Sequence, residues 1–288
     1  MAASGSGGGG GGATGGRRRF PLPLARVRGE APQAPGPGPG ALQRPQRLVR
    51  QAAQAEAARG AAPAGLGLDS TSVRMRMVRR LRDGGIDDER VLAAFAQVPR
   101  HRFVDSALAN QAYEDTSLPI GHGQTISKPS VVAHMLQELL RDRVPAGGRA
   151  AVLGRVLEVG AGCGYQAALL ACLAEQVVSI ERLGPLAAKA QAHLNDLGLG
   201  ERVIVLHGDG RAGAPAHAPF DGIVSAAGGD DVPAAWQEQL APAGRLVAPC
   251  GVQRPGVQPL VVIDCSARGF ERRMAGEVFF VPLKSGVE

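Results

Sequence analysis

Hydrophobic positions along the chain follow two different periods, and the switch near Arg155 divides it. Val73, Met77, Val78 and Leu81 recur at helical spacing and predict a helix over 70–82, stopped by Gly84 and Gly85. Asp87 or Asp88 can cap a second helix over 89–97, which closes ahead of Pro99. Residues 113–126 hold neither period and read as an extended loop. Pro129 suits the first turn of a third helix, 130–141.

From Arg155 onward, short apolar runs alternate with helical stretches. Strands are expected at 156–159, 177–181, 203–207, 222–226, 245–249, 260–265 and 278–281, with helices at 165–174, 185–197 and 233–240. A run such as 156–159 is apolar on both faces, as in a parallel strand covered on both sides. Strands alternating with helices argue for an α/β fold, a doubly wound sheet flanked by helices.

The first 68 residues differ in kind. They contain the Gly run 7–12 and the Pro-Gly stretch 35–40, and are expected to form a disordered extension. Such a segment buries too little apolar surface to offset its ordering entropy. It also holds nine Arg, no Lys and two acids, whereas the remainder holds 23 basic and 24 acidic side chains. The net positive charge therefore belongs to the extension, read as a solvated arm, and gives no reason to expect an obligate nucleic-acid partner for the folded part. Three parts follow: the extension 1–68, an N-terminal helical and substrate-loop subdomain 69–149, and a cofactor-binding domain 150–288. No run reaches the roughly 20 apolar residues that span a bilayer, and Arg17–Arg19 precede only a short, Pro-broken apolar stretch, so no export signal and no membrane partner are expected. Cys163, Cys172, Cys250 and Cys265 form no C-x-x-C pair, and no Cys/His/acid grouping has metal spacing. Free thiols in a reducing cytoplasm, and no metal, are expected.

The sharpest local feature is Val156-Leu-Glu-Val-Gly-Ala-Gly-Cys-Gly-Tyr165. A buried strand runs into Gly160, Gly162 and Gly164 and then into a helix start, where free N–H groups and a positive dipole end meet a ligand. Glu181 ends the next strand, where a carboxylate can accept hydrogen bonds from both hydroxyls of a ribose. A dinucleotide fingerprint requires a third glycine where Tyr165 stands. The G-x-G-x-G spacing, with acidic Glu158 ahead of it, looks like motif I of the class I S-adenosylmethionine-dependent methyltransferases. Asp209, in His207-Gly-Asp-Gly210, follows the third strand, where that class places an adenine-contacting acid. Val224-Ser-Ala-Ala227 stands where base N-methylases carry Asn/Asp-Pro-Pro-aromatic.

Upstream, Leu118-Pro-Ile-Gly-His-Gly-Gln-Thr-Ile-Ser127-Lys-Pro129 closely resembles a signature of the protein-L-isoaspartate (D-aspartate) O-methyltransferases, Leu-Pro-Ile-Gly-x-Gly-Gln-Thr-Ile-Ser-x-Pro. Val98-Pro-Arg-x-x-Phe103-Val104, the 156–181 block, His207-Gly-Asp-Gly210 and Phe280-Val-Pro-Leu283 look like that family's other blocks, in the same order, so the resemblance covers about residues 70 to 285. It implies a Rossmann-like methyltransferase sheet with an N-terminal helical part closing over S-adenosylmethionine. It implies methyl transfer to the free carboxylate of L-isoaspartyl and D-aspartyl residues in damaged proteins, after which the ester collapses to a succinimide and hydrolysis returns some normal aspartate. Ser127 matches the family's active-site serine, while Gln124, Thr125 and Ile126 match its cofactor- and substrate-facing loop. Gly160, Glu181, Asp209 and Gly210 match cofactor contacts, and Glu158, Gly162 and Gly164 join them from the glycine loop. Two departures stand out. The block Phe220-Asp-Gly-Ile-Val-Ser-Ala-Ala227 is one residue shorter than the family's Phe-Asp-x-Ile-Ile-Val-Thr-Ala-Ala, and 146–154 reads as a small insertion.

The chemistry fits this inventory. A carboxylate nucleophile has a pKa near roughly 4 and needs no general base. Ser127 is therefore read as an orienting donor, and an N-cap for the helix beginning at Pro129 is a structural role compatible with it. His122 and His134 are read as uninvolved. Isoaspartyl-bearing proteins are the expected partners of a monomeric enzyme. A methyltransferase for RNA or a small molecule, and a binding protein without turnover, are the rival readings.

Overall fold

The computed structural model describes residues 71–144, 151–251 and 257–288; the expected disorder of 1–68 and most of the insertion expected at 146–154 lie outside them. Helices α1 (Thr71–Asp83) and α2 (Glu89–Gln97) form where the apolar repeat places them. Met77, Val78 and Leu81 of α1 turn inward together with Val91, Leu92 and Phe95 of α2. The Asp88 side chain caps α2 by accepting from the backbone N–H of Arg90 and Val91.

The stretch read as a loop contains a hairpin. Strand β1 (Leu118–Gly121) pairs antiparallel with β2 (Gln124–Ile126). Its arms are too short to show a period in the sequence. The turn is built from backbone that only certain residues tolerate: Gly121, His122 and Gly123 all have positive φ, at 101°, 52° and 67°. Helix α3 (Pro129–Leu140) follows, with Pro129 in its first turn.

The main sheet contains β3 (Leu153–Val159), β4 (Ala174–Glu181), β5 (Val203–His207), β6 (Phe220–Ser225), β7 (Leu240–Pro249), β8 (Gln258–Ser266) and β9 (Gly269–Val278). Their order is β5-β4-β3-β6-β7-β8-β9. The first five strands are parallel, and β8 and β9 run antiparallel at one side. Helices α4 (Tyr165–Ala171), α5 (Gly184–Asp196) and α6 (Ala234–Glu238) connect them. One apolar cluster joins α1 to α5 to one face of the sheet, with Phe95, Phe103, Leu136 and Leu169 at its centre. The other face packs Leu157, Ile180, Phe220 and Leu246 around Trp236 of α6.

Several boundaries move, among them the strand expected at 245–249, which opens at Leu240; two of the shifts have a clear physical reason. The helix expected over 165–174 ends at Ala171, and Ala174 already opens β4. Leu173 and Ala174 fit either period, so the pattern cannot place that break. The last strand lies at Gly269–Val278, ahead of the expected 278–281. It is an edge strand exposed along most of its length, with Glu271, Arg272 and Arg273 in it, so it shows no buried stripe. Strand order reverses at β3, with β4 on one side and β6 on the other. The carboxyl ends of these strands diverge there and leave a crevice.

Candidate active site

The crevice holds a cavity of about 250 Å³. The end of β3 supplies Val159, Gly160 and Gly162, and the end of β4 supplies Ile180, Glu181, Arg182 and Leu183. The hairpin brings Ile120, Gly123, Gln124, Thr125 and Ser127 across it, and the C-terminal segment adds Val281, Pro282, Leu283 and Lys284. Of the residues read from the sequence, Gln124, Thr125, Ser127, Gly160, Gly162, Glu181 and Gly210 meet here. Ile126 faces a smaller space of about 40 Å³ behind the loop, beside Tyr165 and Gln166.

Glu158, Gly164 and Asp209 are placed differently. Gly164 has φ +89°, and a Cβ there would lie 3.2 Å from the carbonyl of Ala190, so its role is to let α5 approach the loop. The Asp209 carboxylate accepts from the N–H of Arg211 at 2.9 Å and of Gly286 at 2.7 Å. The Gly286 N–H is the main reason its carboxyl titrates below the ordinary range. Glu158 is 0% exposed beneath the loop and accepts from the Ser179 hydroxyl. Burial pushes its carboxyl up to about 8, and the neighbouring Glu181 charge adds to the effect. It is therefore largely protonated at neutral pH.

Glu181 keeps its carboxylate at the cavity wall. Its Oε2 accepts from the Gly162 N–H at 2.9 Å and its Oε1 from the Leu183 N–H at 3.1 Å. Each oxygen retains acceptor capacity for a ribose hydroxyl. Glu181→Gln turns one acceptor into a donor aimed at a backbone N–H. It should weaken S-adenosylhomocysteine binding by about 1.5 kcal/mol, roughly tenfold. Titration calorimetry checks this, and an unchanged affinity removes Glu181 from the cofactor site.

Ser127 stands between β2 and α3, and the described residues form no hydrogen bond to its hydroxyl. The N-cap reading for it is corrected. The cap position is Lys128, which makes no side-chain cap, and the Ser130 N–H is taken at 2.8 Å by Asp115 from another segment. The hydroxyl is thus available to the space around it. Ser127 lines the 250 Å³ cavity and also a second one of about 310 Å³ on its outer side, with Ser117, Phe279 and Phe280.

The shortened block at β6 leaves the wall intact. Val156 to Val159 pair with Gly222 to Ser225 in unbroken register. The Ser225 hydroxyl donates to the Ala227 carbonyl at 2.7 Å and holds the turn that carries Ala226 and Ala227 into the cavity. Cys163 sits inside the glycine loop, but burial raises its thiol to about 11, so it is no nucleophile. All four cysteines are unpaired. Among the described residues no His/Cys/Asp/Glu group could hold a metal, and no helix is long and apolar enough to cross a membrane. His134 ties α3 to the carbonyl of Ala275 at 2.6 Å.

Sequence reasoning gave no role to the C-terminal segment, although Phe280-Val-Pro-Leu283 was visible as a block. The Gly228 N–H donates to Val281 and the Leu283 N–H to Gly228, while Glu288 exchanges backbone bonds with Arg182 and Gly184. These bonds pin the segment across the crevice.

A family model described as protein-L-isoaspartate(D-aspartate) O-methyltransferase matches residues 72–288. A protein-L-isoaspartate O-methyltransferase of Methylibium petroleiphilum is 60% identical over 248 residues, which is 86% of this chain and 90% of the relative. One of Leptothrix cholodnii is 55% identical over 244 residues, 84% of each chain. A solved structure of a protein-L-isoaspartate O-methyltransferase superposes with TM-score 0.64 at 28% identity, covering 74% of this chain and 67% of that one. A Plasmodium falciparum structure, solved with S-adenosyl-L-homocysteine, shares the fold at TM-score 0.62 and 24% identity over 73% of this chain and 98% of that one. The signature around Ser127, the crevice geometry and these matches agree, and the chain belongs to the protein-L-isoaspartate (D-aspartate) O-methyltransferase family.

Proposed function

We propose that the chain repairs damaged proteins by moving a methyl group from S-adenosylmethionine to the free carboxylate of L-isoaspartyl and D-aspartyl residues, with Ser127 at the point of transfer. The observation that carries this reading is the meeting of two cavities at Ser127, whose hydroxyl takes no partner from the described residues. The inner cavity fits the cofactor by its donor set. A nearly buried carboxylate, Glu181, would hold the ribose hydroxyls, and the glycine turn would leave room for the methionine part.

S-adenosylmethionine supplies an electrophilic methyl group on a sulfonium. The incoming carboxylate is ionised at neutral pH, with a pKa near roughly 4, so the chain need not remove a proton. An anion and a cation combine to neutral products, and a water-poor site favours that cancellation. The hairpin across the crevice excludes water, and the Ser127 hydroxyl donates to one carboxylate oxygen and leaves the other free to attack. The same reading takes 69–149 as the part that closes over the cofactor, and the protein as a cytoplasmic monomer with no obligate nucleic-acid partner.

Two peptides that differ only in an isoaspartyl or a normal aspartyl linkage test the proposal. Labelled methyl is expected on the isoaspartyl peptide alone. Equal labelling of both, or of neither, overturns it.

A further inference from the structure

We propose that Arg100 and Asp115 are positioning residues that clasp the base of the hairpin from two sides and so fix Ser127; this rests on the reading of Ser127 as the orienting donor. Arg100 is 0% exposed. A buried cation is costly unless its donors are used. Among the described residues, none of the hydrogen bonds Arg100 makes goes to a carboxylate. Its Nε donates to the Ala112 carbonyl at 2.8 Å, and its Nη2 donates to the backbone carbonyls of Ser127 at 2.7 Å and Thr116 at 3.4 Å. The guanidinium carbon lies 4.8 Å from the centre of the Tyr165 ring, at the start of the helix after the glycine loop.

The acceptors offset part of that cost, while Nη1 finds no hydrogen-bond partner among the described residues. Thr116 precedes β1 and Ser127 follows β2, so one guanidinium holds both stems of the hairpin and seats them on the ring of Tyr165. Asp115 does the same on the outside. Its two oxygens accept from the Ser130 N–H and the Ser130 hydroxyl, both at 2.8 Å. Ser127 lies between these two fastenings, and among the described residues its side chain finds no bond of its own to hold it. A planar fork reaches several carbonyls at once, which an ammonium cannot do with the same geometry.

The test uses the full chain and five variants: Arg100→Lys, Asp115→Ala, Ser127→Ala, and each of the first two combined with Ser127→Ala. Turnover and KM are measured on an isoaspartyl peptide, and S-adenosylhomocysteine affinity by calorimetry. Misplacing the serine should lower kcat about 10- to 100-fold in Arg100→Lys, and less in Asp115→Ala, with cofactor affinity within about twofold in both. If both residues act through Ser127, each effect should shrink to about twofold or less in the Ser127→Ala background, as in coupled double-mutant cycles. A merely structural role predicts penalties that carry over undiminished, or that fall on cofactor affinity, and either result overturns the inference. Asp115 is exposed, so its pair of variants decides the matter if Arg100→Lys does not fold. Full turnover in Ser127→Ala sinks the serine reading itself, whereas undiminished penalties beside an impaired Ser127→Ala sink only the clasp.

Discussion

Ser127→Ala should lower kcat for methylation of an isoaspartyl peptide by about 100-fold, the scale seen when one preorganised donor is removed, while S-adenosylhomocysteine affinity stays within about twofold. The asymmetry follows from where the hydroxyl sits. It closes no cap, because Asp115 holds the first turn of α3, and it takes no partner from the described residues. Its removal therefore leaves no buried group unsatisfied and costs little stability. What is lost is one donor to a carboxylate that must present an oxygen behind the sulfonium methyl. Ser127→Thr keeps the donor, adds a methyl group, and should recover part of the lost turnover. Initial rates at saturating peptide, with calorimetry of the cofactor product beside them, separate the two effects. Undiminished turnover in Ser127→Ala ends its role.

The legible parts of the fold were those with long, one-sided apolar patterns. The α1 and α2 repeats, the two-faced run at 156–159 and the Gly160–Gly162–Gly164 turn all placed themselves, because each needs a residue type that little else explains. The hairpin did not, since β1 and β2 are three or four residues long and their turn depends on backbone angles at 121–123. Edge strand β9 did not either, for its side chains face solvent along most of its length. At the site, spacing pointed to Glu181 and the family resemblance to Ser127, but neither pointed to the groups that hold them. Arg100 was visible only as the arginine of Val98-Pro-Arg, and Asp115 only as a polar loop residue, because long-range hydrogen bonds to carbonyls leave no periodic trace. Glu158 is the instructive case. Its place ahead of the glycines reads as a ligand, yet the strand's alternation turns it under the loop, away from the cavity that Glu181 lines.

That difference between two acids one strand apart gives the second large effect. Glu158→Gln should raise thermal stability, and the gain should grow with pH. The carboxyl titrates near its ordinary 4.5 in the unfolded chain and near 8 in the fold, with burial as the main cause. Between those values the folded protein retains a proton that the unfolded chain releases. Stability from this site is thus fully present below about pH 4.5 and lost progressively as pH rises toward 8. The limiting slope is about 1.4 kcal/mol per pH unit. Gln has nearly the same shape, still accepts from the Ser179 hydroxyl, and cannot ionise. Its Tm should match the wild type near pH 5 and exceed it by several degrees near pH 8, at roughly 2–4 °C per kcal/mol for a domain of this size. Cofactor affinity should stay as it was, in contrast to Glu181→Gln, because Glu158 does not line the cavity. A Tm difference that is the same at both pH values would mean that Glu158 is already ionised in the fold, with a counter-charge supplied from elsewhere.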